Sequence, residues 1–182
     1  YTELPEGMPL TEVVGQLNET LDDTGAVSGG LDKEQGGRIV GYVYAGAFKG
    51  RAAYDWAVET SIYVEKGDHR HGVGRDLYEA LEQALRLQGI RNAEACIAAP
   101  RGEDPYLPPD SIAFHEHLGY RLVGRFEECA YKFGRWYDMV WMEKFIGDHP
   151  EEPGAVAKIL SFPEIRDQLA RGDSLDHQRK PV

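Results

Sequence analysis

The chain is poor in cysteine, with two in 182 residues, Cys96 and Cys129. Their separation gives neither a metal-ligand spacing nor a disulfide framework, so a stapled scaffold is excluded and a reduced, cytoplasmic setting is the simpler expectation. Basic residues are outnumbered, 20 Lys and Arg against 31 Asp and Glu, for a formal charge of −11. Neutralising nucleic-acid phosphates needs a basic face and none is evident, so nucleic acid is not an expected partner. No apolar run reaches the length of about 18 residues that a membrane span requires. The opening residues, beginning at Tyr1 rather than Met, carry no signal-peptide pattern. Repeats and low-complexity blocks are lacking too. What is present is 42% hydrophobic residues, enough over this length for one domain with a real core and little room for a second.

The stretch over residues 56–89 organises the rest. An extended apolar segment (WAVETSIYV) runs into a polar loop (EKGDHRHGVG) and then into an amphipathic helix (RDLYEALEQALRLQG). Val73, Leu77, Leu81, Ala84 and Leu85 recur on its buried face, and Gly89 is a natural stop. A strand feeding a glycine loop that opens a helix can hold a phosphate, because the helix N-terminus has unpaired N–H groups and the positive end of the macrodipole. Gly72 and Gly74, without Cβ, let the backbone come close to such a ligand. The loop ends Gly74-Arg75-Asp76, which excludes a nucleoside-triphosphate loop, and it has only two of the three glycines of a dinucleotide fold. A glycine turn that merely starts a helix remains the alternative at this point.

Elsewhere, Thr11 caps a helix over about residues 11–22 that would lie on a sheet, and residues 24–37, rich in Gly, Asp and Ser, read as a mobile surface loop. Residues 38–48 and 54–64 read as an antiparallel strand pair joined by Lys49-Gly50-Arg51. A small apolar strand follows over 93–99, with Cys96 buried in it, then an irregular loop over 100–110 and a short helix over 111–118 that ends at Gly119. Strands over 120–127 and 137–145 are linked by CAYKFGRW; a polar tail follows, with one short helical stretch over 163–170. This order predicts an α+β fold, a mixed sheet covered by helices, with one domain over 1–147 and a tail over 148–182.

The run His69-Arg70-His71-Gly72-Val73-Gly74 resembles the Gln/Arg-x-x-Gly-x-Gly/Ala pyrophosphate loop of GCN5-related N-acetyltransferases, with His69 in the Gln/Arg place. GRIVGYVYAGAFKGRAAYDWAVETSIYV, SIAFHEHLGYRLVGRF and YKFGRWYDMVWME extend the resemblance to the phosphinothricin and methionine sulfoximine acetyltransferase branch, over roughly residues 12–143. It implies a mixed, mostly antiparallel sheet whose two central strands splay apart, and acetyl transfer from acetyl-CoA to a primary amine. It also implies a homodimer, with neither metal nor membrane. That branch carries a first strand and helix ahead of the segment present here, so the expectation is either an incomplete sequence or a sheet without that edge strand. It also places an Asn where this chain has Pro108, a cofactor contact that Asp110 would have to replace.

An amine attacks a thioester only when unprotonated, so such a site needs a proton acceptor. Alternation along residues 54–64 puts Asp55, Ala57, Glu59 and Ser61 on one face, and an acid inside an apolar strand stands out. The resemblance assigns Glu59 as general base and His115, in FHEHLGY, to proton handling. It matches Arg51 and Tyr54 to substrate binding, where a guanidinium suits a carboxylate. For the cofactor it implies the backbone of Ile62, Tyr63 and Val64 along the pantetheine, and Arg70, His71, Gly72, Val73, Gly74 and Arg75 around the pyrophosphate. The aromatic group Tyr131, Phe133, Trp136, Tyr137 and Trp141 reads as core or dimer interface rather than a ligand cage. The expected function is therefore direct acetyl transfer to a small amino-acid-like amine. A polyamine, an aminoglycoside or a protein N-terminus is the alternative acceptor, and a non-catalytic acyl-CoA sensor is the rival outside enzymes.

Overall fold

The computed structural model describes residues 29–35, 38–65, 72–104, 107, 110–151 and 165. The expected helix over 11–22 lies outside them, as do His69, Arg70 and His71. A six-stranded sheet forms from β1 (Gly29–Gln35), β2 (Arg38–Ala47), β3 (Ala57–Val64), β4 (Asn92–Ala99), β5 (Arg121–Lys132) and β6 (Arg135–Phe145), in the order β1-β2-β3-β4-β6-β5. Helix α1 (Val73–Gln88) crosses from β3 to β4, and α2 (Asp110–His117) lies between β4 and β5. Neighbours are antiparallel except β3 and β4, the pair that the α1 crossover makes parallel. This is the expected α+β arrangement.

The sequence reading of the strands fails in three places. Residues 29–35, read as part of a loop, form the edge strand β1, in register with β2 from Gly29↔Ala45 to Gln35↔Arg38. Glycine-rich composition masks a strand whose pairing comes from a neighbour. CAYKFGRW is not a link: β5 and β6 continue through it to a tight turn at Phe133 and Gly134, both at positive φ (53° and 73°). Residues 54–56, read as strand, enter β3 by a 3-10 turn over Ala52–Tyr54.

The helices settle on one face of the sheet. Val73, Leu77, Leu81 and Leu85 of α1 are buried against Val43, Ala45 and Val58, with Ala93, Ala95, Val140 and Met142 in the same cluster. Helical spacing of these side chains, rather than propensity, drives the docking. Gly89 ends α1 at φ 91°, its N–H donating to the Arg86 carbonyl at 3.0 Å. One buried acid on α1, Glu82, is held by Arg86 (2.8 Å) and Lys144 (2.6 Å). Ile165, from the stretch read as a polar tail, is buried with Ala84 and Leu87. Three of the five aromatics read as core or interface are not core, because Tyr131, Phe133 and Trp136 are exposed on the β5–β6 hairpin. No helix among the described residues is long and apolar enough to cross a membrane.

The approach of α1 to β2 depends on Gly41, where a Cβ would stand 3.0 Å from the Tyr63 carbonyl oxygen and 3.1 Å from Leu77 Cδ1. Gly41→Ala is expected to cost about 1–3 kcal/mol, read as a lower urea midpoint at unchanged slope. An unaltered midpoint would mean that the helix has slack over this strand.

Candidate active site

The parallel ladder between β3 and β4 is only three pairs long: Ala57↔Asn92, Val58↔Ala93 and Glu59↔Glu94. Beyond Glu59 the strands part. A cavity of about 690 Å³ opens there, lined by residues 60–64 of β3, by 95–98 of β4, by the start of α1 and by α2. A carbonyl at the fork would be buried without a partner, a costly arrangement. The Thr60 hydroxyl removes that cost by donating to the Glu94 carbonyl at 3.0 Å. Thr60 stands where the pleat turns its side chain toward the helices, among tyrosines 78 and 120.

The open end of the fork meets the N-terminus of α1. The first bond inside that helix runs from Asp76 N–H to the Gly72 carbonyl, 3.0 Å, which leaves the amides of Val73, Gly74 and Arg75 ahead of the helix's own bonding. Gly72 caps the helix at φ 81°, a conformation costly for a residue with a Cβ. At Gly74 a Cβ would stand 3.0 Å from Phe114 Cζ, so the glycine lets α2 close over the start of α1. Gly72, Gly74 and Arg75 line the cavity, whereas Val73 turns its side chain into the core. Anionic charge is suited to this end, and Asp76 already sits there, paired with Lys33 of β1.

His115 lines the cavity from α2. Its Nδ1 donates to the Ser111 carbonyl, 2.7 Å away, and its Nε2 lies 2.9 Å from the Tyr78 hydroxyl. A carbonyl only accepts, so Nδ1 carries the proton and the Nε2 lone pair takes the Tyr78 O–H. Burial pulls the imidazole below its ordinary value, with the Ser111 carbonyl opposing. Burial likewise pushes the phenols of Tyr78 and Tyr120 well up, so both stay protonated.

The fold therefore gathers Ile62, Tyr63, Val64, Gly72, Gly74, Arg75 and His115 around one cavity. Glu59, Arg51 and Tyr54 do not line it. Glu59 lies on the sheet face away from α1, beside the fork, where its charge raises the Cys96 thiol. Arg51 and Tyr54 are exposed around the 3-10 turn ahead of β3, with the Tyr54 ring edge-on to Phe48 at 6.2 Å. Cys96, expected in the core, is instead a cavity-lining residue exposed on β4, because the parting of β3 uncovers its face. Partial desolvation beside the sheet, then the charges of Glu59 and Cys129, push its thiol up, which keeps it a poor nucleophile. Three polar residues went unnoticed in the sequence: Tyr78, Thr60 and Glu94. Tyr78 was concealed because a tyrosine on the buried face of a helix reads as core.

Glu94 shares the face of Glu59 and is paired across β6 with Glu143. Burial, followed by the Glu143 charge, raises it from 4.5 to about 7, against the opposing pull of Arg121. A carboxyl raised on folding makes the native state hold a proton that the unfolded chain releases, so stability falls as pH rises from 4.5 through about 7. Glu94→Gln is accordingly expected to raise Tm at pH 8 and to give no gain at pH 4. An equal gain at both would show that the carboxyl is not lifted.

The sequence profile of the family described as "Acetyltransferase (GNAT) domain" matches residues 31–141. Phosphinothricin N-acetyltransferase from Streptomyces viridochromogenes is 37% identical over 124 residues, covering 68% of this chain and 64% of that protein. An L-methionine sulfoximine/L-methionine sulfone acetyltransferase from Pseudomonas aeruginosa is 30% identical over 59% of this chain and 58% of that protein. The chain thus spans less than two thirds of the length of these relatives. Among solved structures, a GNAT superfamily phosphinothricin acetyltransferase from Sinorhizobium meliloti in complex with AcCoA superposes with a TM-score of 0.65 at 28% identity, covering 83% of this chain and 80% of that one.

Proposed function

The chain belongs to the acetyltransferase (GNAT) family, and from that premise we propose that it transfers the acetyl group of acetyl-CoA directly to the primary amine of a small amino-acid-like acceptor. The observation that carries the reading is the fork. Two neighbouring strands stop pairing after Glu59↔Glu94, and the gap beyond runs from the first amides of α1 to a buried histidine. The residues present fit an acyl-CoA. The amides of Val73, Gly74 and Arg75 suit a pyrophosphate, with the Arg75 side chain adding charge, and the approach needs no basic cluster. The parted edge of β3 over Ile62, Tyr63 and Val64 offers main-chain groups to a pantetheine arm and a fixed donor to a thioester carbonyl as its oxygen gains charge.

Glu59 acts as general base, taking a proton from the incoming ammonium. Its place at the last position of β3 paired with β4, with its charge felt at the cavity-lining Cys96, supports that role. His115 assists proton transfer from the cavity wall. Arg51 and Tyr54 receive the acceptor's carboxylate from the turn that leads into the Glu59 strand. Arg70 and His71 complete the pyrophosphate loop on the resemblance alone. Direct attack, without an acyl-enzyme, accords with a Cys96 thiol held protonated. The resemblance and the exposed Phe126, Tyr131 and Trp136 of the β5–β6 hairpin support a homodimer. A cytoplasmic setting rests on the resemblance and the cysteine pattern.

Thiol release from acetyl-CoA, followed against amino acids, phosphinothricin, methionine sulfoximine and polyamines, tests the reading. An amino-acid-like amine is expected to turn over, and Glu59→Gln to lower kcat by about 10²–10⁴-fold. Turnover confined to polyamines would move the acceptor class. Acetyl-CoA binding without turnover of any amine would favour a sensor.

A further inference from the structure

Both ring nitrogens of His115 are already engaged by the protein, Nδ1 by the Ser111 carbonyl and Nε2 by the Tyr78 hydroxyl. The imidazole is 5% exposed and Tyr78 1%, so burial does not separate the two; what does is that both ring nitrogens are taken, whereas the Tyr78 oxygen stands between two partners. Tyr78 lines the same cavity from α1, and its oxygen also lies 3.2 Å from Thr60 Oγ1 at the fork. We propose that the Tyr78 hydroxyl is the relay through which His115 exchanges protons with the reacting centre. This rests on the acetyl-transfer reading and adds to it a residue placed by packing rather than by any motif.

The relay closes on itself. When the acceptor nitrogen bonds to the thioester carbon, it carries a surplus proton. That proton passes to the Tyr78 oxygen while the proton of Tyr78 moves to His115 Nε2. The carbon–sulfur bond then breaks with its electron pair going to sulfur, and the thiolate takes the Tyr78 proton as Nε2–H returns its own to Tyr78. One proton travels from nitrogen to sulfur, and both side chains end as they began.

The hydrogen bonds satisfy each state. With neutral imidazole, Tyr78 O–H donates to Nε2. With imidazolium, Nε2–H donates to the Tyr78 oxygen, Tyr78 O–H turns to Thr60 Oγ1, and Thr60 donates to the Glu94 carbonyl at 3.0 Å. A buried charge is tolerated only where such partners stand ready. Around the imidazole, Tyr120 and Phe114 stand edge-on at 5.2 and 5.4 Å. The charges nearby act mainly on the phenols: Glu82 on Tyr78 and Tyr120, Glu94 on Tyr120, and Lys144 at 5.9 Å from the Tyr120 ring. None of them is hydrogen-bonded to His115, so the resting ring stays neutral, as its lowered pKa requires.

Histidine ¹⁵N spectra of the whole chain at pH 7, without acetyl-CoA, are expected to show His115 protonated on Nδ1, with Nε2 unprotonated and accepting a hydrogen bond. In wild type, kcat should fall on an acid limb below the ordinary histidine value. Tyr78→Phe keeps the ring and removes one oxygen; it should lower kcat about 10–100-fold, with KM for acetyl-CoA changed by less than about twofold, and abolish that limb. In a His115→Asn background the same change should add no further loss. An Nε2–H tautomer, an intact acid limb in Tyr78→Phe, or additive losses would overturn the relay while leaving acetyl transfer standing. A wild type that turns over no amine would sink both.

Discussion

One hydrogen bond makes the central sheet able to fork: Thr60 Oγ1 to the Glu94 carbonyl. Parallel strands that part inside a core would strand main-chain polar groups, and each unpaired group costs about 1–3 kcal/mol. By supplying a donor at the first unpaired step, Thr60 turns that defect into the floor of a cavity. A β-branched side chain suits the place, since it is stiff and fits a pleated surface. The ladder before the fork is short, and β2 on one side and β6 on the other hold β3 and β4 in place with far longer registers.

The same economy appears at the other end of the cavity. In a chain with net charge −11, main-chain amides at the start of α1 are the groups that suit a pyrophosphate, because they need no side-chain charge. Close packing makes this possible. Gly74 lets Phe114 approach, and Gly41 lets α1 sit low on β2, so both helices stand against the fork. Buried acids are distributed with matching care: Glu82 is bracketed by Arg86 and Lys144, and Asp138 receives Arg125 and the Glu128 amide. Glu94, with a like charge across the strand at Glu143, is the exception.

Arg101 and Asp104, from a stretch irregular in sequence, are tied to the β5–β6 hairpin. Asp104 accepts from the Tyr137 hydroxyl at 3.1 Å and from Arg135 at 3.3 Å, and Arg101 reaches Asp138 at 3.4 Å. These bonds join the residues that precede α2 to the hairpin, and with α2 comes His115.

The sequence by itself determined the elements whose signals are local: the spacing of Leu77, Leu81 and Leu85 that made α1, the glycines that opened and closed it, and the alternation that set Glu59 apart from Val58 and Thr60. It could not reveal β1, because that strand exists by pairing with β2, nor the exposure of Cys96, because that depends on β3 leaving its side. Tyr78 is the plainest case. It stands beside Leu77 in the helix that the spacing revealed, but a hydroxyl becomes part of a site only when Thr60, from 18 residues earlier, and His115, from 37 residues later, are brought to its oxygen. Hydrophobic periodicity encodes which face turns inward, whereas hydrogen-bond partners distant along the chain are chosen only once the layers have closed.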